Sequence, residues 1–105
     1  MLRHLALVLP LVTVAAAGAV AAGDPEYGEY LAAECFACHP QNDPVGPMPP
    51  LHLLPSDYFI RALREYRSGV RANVAMALVA RNLSDEDIES LATYFQLLSV
   101  QLGGK

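Results

Sequence analysis

Cys35-Phe36-Ala37-Cys38-His39 constrains this chain more than any other stretch. These are the only two cysteines among 105 residues, and just two positions separate them, so they staple nothing at long range. A chain this short rarely buries enough apolar surface alone and usually leans on disulfides, a metal or a cofactor. No disulfide framework is available here. The sequence therefore leaves a gap that a large buried cofactor would fill.

The chain is one domain at most, preceded by a leader. Arg3 and His4 form a short polar start, and Leu5 to Val20 is almost unbroken apolar sequence. Ala19-Val20-Ala21 then places small residues at the −3 and −1 positions of a signal peptidase site. That order predicts a secretory signal peptide over residues 1–22 and a mature domain over residues 23–105. The rival is an uncleaved membrane anchor, since a spanning helix needs ~20 residues. Pro10 and the Ala-rich cleavage site speak against it, and membrane contact is expected only if the segment stays attached. No Arg-Arg pair precedes the run, so export of the unfolded chain to the periplasm is expected.

Formal charge is −4, and beyond Arg3 six basic residues face eleven acidic ones. That balance excludes nucleic-acid binding and suggests a protein partner chosen by charge pattern.

The mature region reads as all-α. Asp24 is a good N-cap, Pro25 suits the first helical position and Glu26 favours the positive helix end, so a first helix should run from there to about His39-Pro40. Six prolines between Pro40 and Pro55 forbid regular helix in the loop that follows. A second helix fits Ser56 to Ser68, capped by Ser56 or Asp57 and stopped by Gly69. Tyr58, Phe59, Ala62, Leu63 and Tyr66 share one of its faces, and Arg61, Arg64 and Arg67 the other. Ala72 to Ala80 carries Met76, is apolar nearly all round, and reads as a loop passing into a short buried helix. The last helix starts at Ser84, where Ser84 and Asp87 make an approximate capping box. Its apolar stripe is Ile88, Leu91, Ala92, Phe95 and Leu98, and Gly103-Gly104 ends the chain.

C-x-x-C-H is a haem attachment pattern. Two thiols three residues apart can each add to one vinyl group of a single porphyrin, and the next residue, His39, can then aim its imidazole at the iron. Two rivals use the same residues. A thioredoxin-like dithiol needs a βαβ context, and no strand pattern is present. A zinc site wants four ligands, which Cys35, Cys38, His39 and His52 could supply. Covalent haem c, one per chain, is the expected cofactor, with Cys35, Cys38 and His39 binding it.

Met48, His52 and Met76 are candidates for the sixth iron ligand. Met76 lies 37 residues beyond His39, enough chain to return on the opposite face of the ring. Met48 is only nine residues on, in a proline-rich loop better suited to the His39 side. The plain alternative for Met76 is a core methionine, and an open iron site is the further option. Leu51, Leu54, Tyr58, Phe59, Leu63 and Phe95 are expected to wall the cofactor. Tyr58 or Tyr66 could bond a haem propionate or simply fill core. The Arg61/Arg64/Arg67 face is an ordinary solvated face, a docking patch or a propionate counter-charge, and Asp85, Glu86, Asp87 and Glu89 serve capping and solubility.

The sequence resembles the small bacterial class I cytochromes c over nearly all the mature chain. The resemblance runs from Gly28-Glu29-Tyr30-Leu31-Ala32-Ala33-Glu34 into the motif, through Gly46-Pro47, Pro50-Leu51 and Tyr58. It continues in Tyr66-Arg67-Ser68-Gly69, Met76, Leu83 to Ile88 and Leu91 to Phe95. It implies three to four helices wrapped around one covalent haem, with the terminal helices crossing where Gly28 meets Tyr94. The family's methionine ligand maps onto Met76, so His39 and Met76 would be the metal ligands. Within the family, Val45-Gly46-Pro47 and the short step from Ser68-Gly69 to Met76 are similar to the haem subunit of flavocytochrome c sulfide dehydrogenase. Pro40 after the haem histidine and His52-Leu53-Leu54 depart from common family patterns.

The function this implies is single-electron transfer by Fe(III)/Fe(II) cycling, by a carrier and not an enzyme. Its partners would be redox proteins such as a terminal oxidase or a flavoprotein dehydrogenase. The alternatives are a tightly bound electron-transfer subunit of a periplasmic dehydrogenase and, further off, a ligand-binding haem protein with an open iron site.

Overall fold

A computed structural model describes residues 2–13, 23–42 and 45–103. Residues 2–13 are exposed and take up no regular structure. The expected cleavage site at residues 19–22 lies outside the described residues. Among the described residues no helix is long and apolar enough to cross a membrane.

Four α-helices follow: α1 (Pro25–Ala32), α2 (Ser56–Ser68), α3 (Val74–Ala80) and α4 (Asp85–Gly103), with no strand among the described residues. Asp24 caps α1 as expected, its Oδ1 accepting from the backbone N–H groups of Glu26 (2.9 Å) and Tyr27 (3.3 Å). The helix is shorter than its sequence suggested. It gives way after Ala32, and Cys35–Ala37 form a 3-10 turn in which Cys38 N–H and His39 N–H both donate to the Cys35 carbonyl, at 3.2 and 2.8 Å. In a 3-10 turn residues i and i+3 eclipse, so the tightening brings Cys35 and Cys38 to the same side of the backbone.

Gly69 ends α2 with φ at 84°, a left-handed conformation that favours glycine. The start of α2 differs from expectation. Pro55 holds the N-cap position, the Ser56 hydroxyl turns to Gln96 at 3.4 Å, and Asp57 Oδ1 accepts from the N–H of Tyr58, its next neighbour. Contact with α4 thus outcompetes local capping. At the start of α4 the capping box forms in full: Asp87 N–H donates to Ser84 Oγ and Ser84 N–H to Asp87 Oδ2, each at 3.0 Å. Asn73 caps α3 through Met76 N–H at 3.0 Å. The expectation of a buried α3 is corrected. Ala80 is buried, but Val74, Leu78 and Val79 are exposed.

Helices α1 and α4 cross backbone to backbone at Gly28, which is buried against Ser90 and Tyr94. Asp24 N–H donates to the buried Ser90 hydroxyl at 3.2 Å, and the Tyr27 hydroxyl donates to Asp87 Oδ1 at 2.9 Å. Bonding to Asp87, with lesser help from desolvation, holds the Tyr27 phenol above its ordinary pKa. The expected stripe of α4 is buried in full, with Ala32, Phe59, Ala62, Leu63 and Ala80 completing the core. Phe95 sits at its centre, 5.7 Å from Phe36 and 5.5 Å from Phe59 between ring centroids. Each such ring contributes about 1.5–3 kcal/mol by leaving water.

The arginine face of α2 is partly engaged within the fold. Arg67 donates to the Leu83 carbonyl at 3.0 Å and to Asp85 Oδ1 at 2.6 Å, while Arg64 lies 3.6 Å from Asp85 and 3.8 Å from Glu89. These arginines tie α2 to the start of α4, and Arg61 lies over the Tyr58 ring at 5.5 Å. Asp85 is held below the usual carboxylate range, chiefly by its bond to Arg67 and then by Arg67 and Arg64 charge.

Candidate cofactor-binding site

His39 emerges from the 3-10 turn with its ring fixed from one side. Its Nδ1 lies 3.0 Å from the Pro49 carbonyl, which can only accept, so the ring proton sits on Nδ1. In the neutral imidazole that leaves Nε2 as the lone-pair nitrogen. It is buried and has no hydrogen-bond partner among the described residues. A buried polar atom left unpaired costs ~1–3 kcal/mol, so an orphan of this kind calls for a partner from outside the chain. The loop carrying Pro49 packs on the His39 side, as its proline content suggested.

His39 opens on a cavity of about 250 Å³. Its walls are Leu51 and Leu54 from the 3-10 segment Leu51–Leu53 and its end, and Tyr58, Phe59, Ala62, Leu63 and Tyr66 from the apolar face of α2. Pro47, Met48 and Pro49 of the loop and Arg71, Asn73 and Met76 complete them. Five of the six expected wall residues are in place. Phe95 is not, because it is buried one layer back, between Phe36 and Phe59.

The three candidate sixth ligands part company here. Met76 and Met48 both line the cavity. Met76 is half-buried on α3, its backbone held by Asn73, whereas Met48 is exposed in the loop next to Pro49, whose carbonyl holds His39. His52 faces away, lining a separate surface hollow with Gln96 and Ser99. The four-ligand set of Cys35, Cys38, His39 and His52 is therefore not assembled, and among the described residues no three His, Cys, Asp or Glu side chains come together as metal ligands.

Cys35 and Cys38 are both free thiols. Cys35 is half-buried and lines a neighbouring cavity of about 360 Å³ with Leu31, Val79, Leu83 and Leu91. Burial, with a lesser push from Glu34, raises its thiol to about 11. A thiol held so far toward its neutral form lacks the low pKa of an attacking dithiol cysteine. A wider trough of about 600 Å³ along Arg61, Arg64 and Arg67 is open to solvent and holds none of these candidates.

Arg71 was not legible as a site residue. It stands on the cavity wall, over the rings of both Tyr58 and Tyr66, and bonds Tyr58 Oη and Glu65 Oε1 at 3.0 Å each. Tyr58 first, then Glu65 and Tyr66, strengthen its hold on its proton. The only trace in the sequence is its place two residues past Gly69 and five before Met76.

The chain matches no family model. It is 30% identical over 95 residues to cytochrome c-553 of Helicobacter pylori, covering 88% of this chain and 96% of that protein. The chain belongs to the small class I cytochromes c. It is also 34% identical over 100 residues to cytochrome c4 of Pseudomonas aeruginosa, covering 92% of this chain and 50% of that one. A match of 37% identity over 87 residues joins it to a thiosulfate dehydrogenase electron acceptor of Thiomonas intermedia, across 80% of this chain and 38% of that protein. The cytochrome thus spans about half the length of cytochrome c4 and less of the electron acceptor. Its four helices are the class I cytochrome c fold, and the family's cofactor is covalent haem c. The residues present fit that group: an orphaned imidazole nitrogen on an apolar cavity, two free thiols on one 3-10 turn beside it, and a methionine on the wall.

Proposed function

We propose that this cytochrome is exported, loses residues 1–22 and passes single electrons between redox proteins in the periplasm, acting as a carrier and not as an enzyme. One haem would be held by thioether bonds from Cys35 and Cys38, and His39 Nε2 and the Met76 thioether would bind its iron. The buried, unpartnered Nε2 of His39 carries this reading. When bound, the haem supplies a one-electron iron couple whose potential a methionine ligand raises relative to two histidines. The chain's own contribution is positioning and exclusion of water. Pro49 holds the His39 ring, Asn73 pins the backbone of Met76, and Leu51, Leu54, Phe59 and Leu63 keep the cavity apolar.

The test is the visible spectrum of protein matured in a host that attaches haem c. A sharp reduced α-band, no shift with carbon monoxide, and a weak sulfur-to-iron band lost in Met76→Ala but kept in Met48→Ala and His52→Ala are expected. A high-spin reduced form that takes up carbon monoxide would overturn the ligation, and absence of covalent haem would overturn the whole reading.

A second reading is a tightly bound subunit of a dehydrogenase, of the thiosulfate or flavocytochrome kind. It is favoured by two exposed apolar side chains one turn apart on α3, Val74 at 81% and Leu78 at 54%. Larger contiguous apolar faces mark interaction sites. Co-purification of the native protein with a flavoprotein would favour it, and a free monomer in extracts would count against it.

A further inference from the structure

The cavity of about 360 Å³ that Cys35 lines plays no part in iron ligation. Tyr30 on α1, 77% exposed, and Val79 on α3, 41% exposed, line it above Leu31, Leu83 and Leu91, so it is an apolar hollow open at the surface. Glu34 lines it too, next to Cys35. At 100° per residue Glu26, Glu29, Tyr30, Ala33 and Glu34 project away from the buried Gly28 and Ala32, and all five are exposed. The Tyr27 ring stacks 6.3 Å from that of Tyr30, and its phenol feels Asp87 first and then, more weakly, Glu86 at the start of α4. Carboxylates on the far side are neutralised: Asp85 and Glu89 by Arg64 and Arg67, and Glu65 by Arg71. Glu26, Glu29, Glu34 and Glu86 form no ion pair among the described residues. Residues 23–60 contain no Lys or Arg at all. Arg81, the basic residue nearest the hollow in sequence, does not line it.

An apolar hollow flanked by unpaired carboxylates, with an exposed tyrosine at its lip, is complementary to a protein surface of opposite charge. Aromatic side chains are enriched where proteins meet, and opposite charge around a rim steers the encounter and rejects wrong partners. A second copy docking by the same face would bring like charges together. We propose that this hollow is the docking site for a redox partner that presents Lys or Arg side chains around one apolar side chain, which enters between Tyr30 and Val79. This rests on the haem reading above, because attachment at Cys35 is what would put the cofactor beside the docked partner.

The probe is the peptide Lys-Lys-Leu-Lys-Lys, titrated into the reduced, matured holoprotein and followed by amide NMR shifts. Shifts centred on Tyr30, Ala33, Glu34, Val79 and Leu83 are expected. Raising the ionic strength from about 0.01 to about 1 M cuts the Debye length from ~30 to ~3 Å and should weaken binding about tenfold or more. The double variant Glu26→Gln/Glu34→Gln changes only exposed side chains and should weaken binding about threefold or more. A peptide with Ser in place of Leu should lose a similar factor, and one with Glu in place of Lys should not bind. No shifts at these residues, shifts centred on Arg61 and Arg64 instead, or equal affinity for the Leu and Ser peptides would overturn the site. The same amides moving when the holoprotein alone is concentrated would also overturn it, by giving the hollow to a second copy. Each of these results is read on protein with covalent haem and a normal α-band, so it leaves the haem reading standing. Absence of covalent haem from the wild type would overturn both.

Discussion

Replacing Gly28 by alanine tests the α1/α4 crossing on which the fold closes. A Cβ built there overlaps the Ser90 carbonyl oxygen and comes within 2.7 Å of the Ser90 carbonyl carbon and 2.8 Å of Tyr94 Cβ. Two of those three atoms are backbone, so no side chain can swing aside and the helices must part. Overpacking costs ~1–3 kcal/mol, and the upper end applies where backbone is the obstacle. Alanine would return ~1 kcal/mol of helix propensity. The net loss is then about 2 kcal/mol, and at 4–8 °C per kcal/mol for a domain of this size Tm should fall by roughly 8–16 °C. Thermal melting of the holoprotein by far-ultraviolet circular dichroism reads this directly. Gly103→Ala is the matched control, since a Cβ there meets nothing within 4 Å. A Gly28→Ala protein melting within a degree or two of wild type would refute the close crossing.

Gly69→Ala meets no atom within 4 Å, so its cost should be purely conformational, about 1 kcal/mol for φ at 84°, with Gly69→Asn losing less in the same melt. Asp85 titrates below its unfolded value because of Arg67, so its contribution is complete above the unfolded pKa of about 3.9 and is lost as pH falls through the lower folded value. Asp85→Asn should therefore flatten the acid limb of Tm against pH while leaving the alkaline limb alone; an unchanged acid limb would count against the Arg67 pairing. Asn73→Ala removes the α3 cap, at a cost of about 1 kcal/mol, and should make the iron site more open to carbon monoxide if α3 holds Met76 in place.

Much of this architecture was written in short-range chemistry. The caps at Asp24 and Ser84/Asp87, the stop at Gly69 and the apolar stripe of α4 depend on residues within a turn or two of each other, and periodicity reports those faithfully. Local rules failed where distant chain competed. The α1 helix yields to a 3-10 turn at Cys35, and Ser56 gives up capping to reach Gln96, forty residues away. The exposure of α3 was also hidden, because an apolar run does not say how many layers will cover it.

The site divides in the same way. The sequence by itself determined the attachment motif, the all-helical class and the set of ligands from which nature could choose, since these follow from residue type and spacing. Only the tertiary structure decided that Met48 and Met76 share His39's cavity while His52 does not. It alone turned Arg64 and Arg67 into ties to α4 and placed Arg71 on the cavity wall. The physical reason is that hydrogen bonds such as His39 to Pro49, or Asp24 to Ser90 across 66 positions, form between groups that only packing brings within reach.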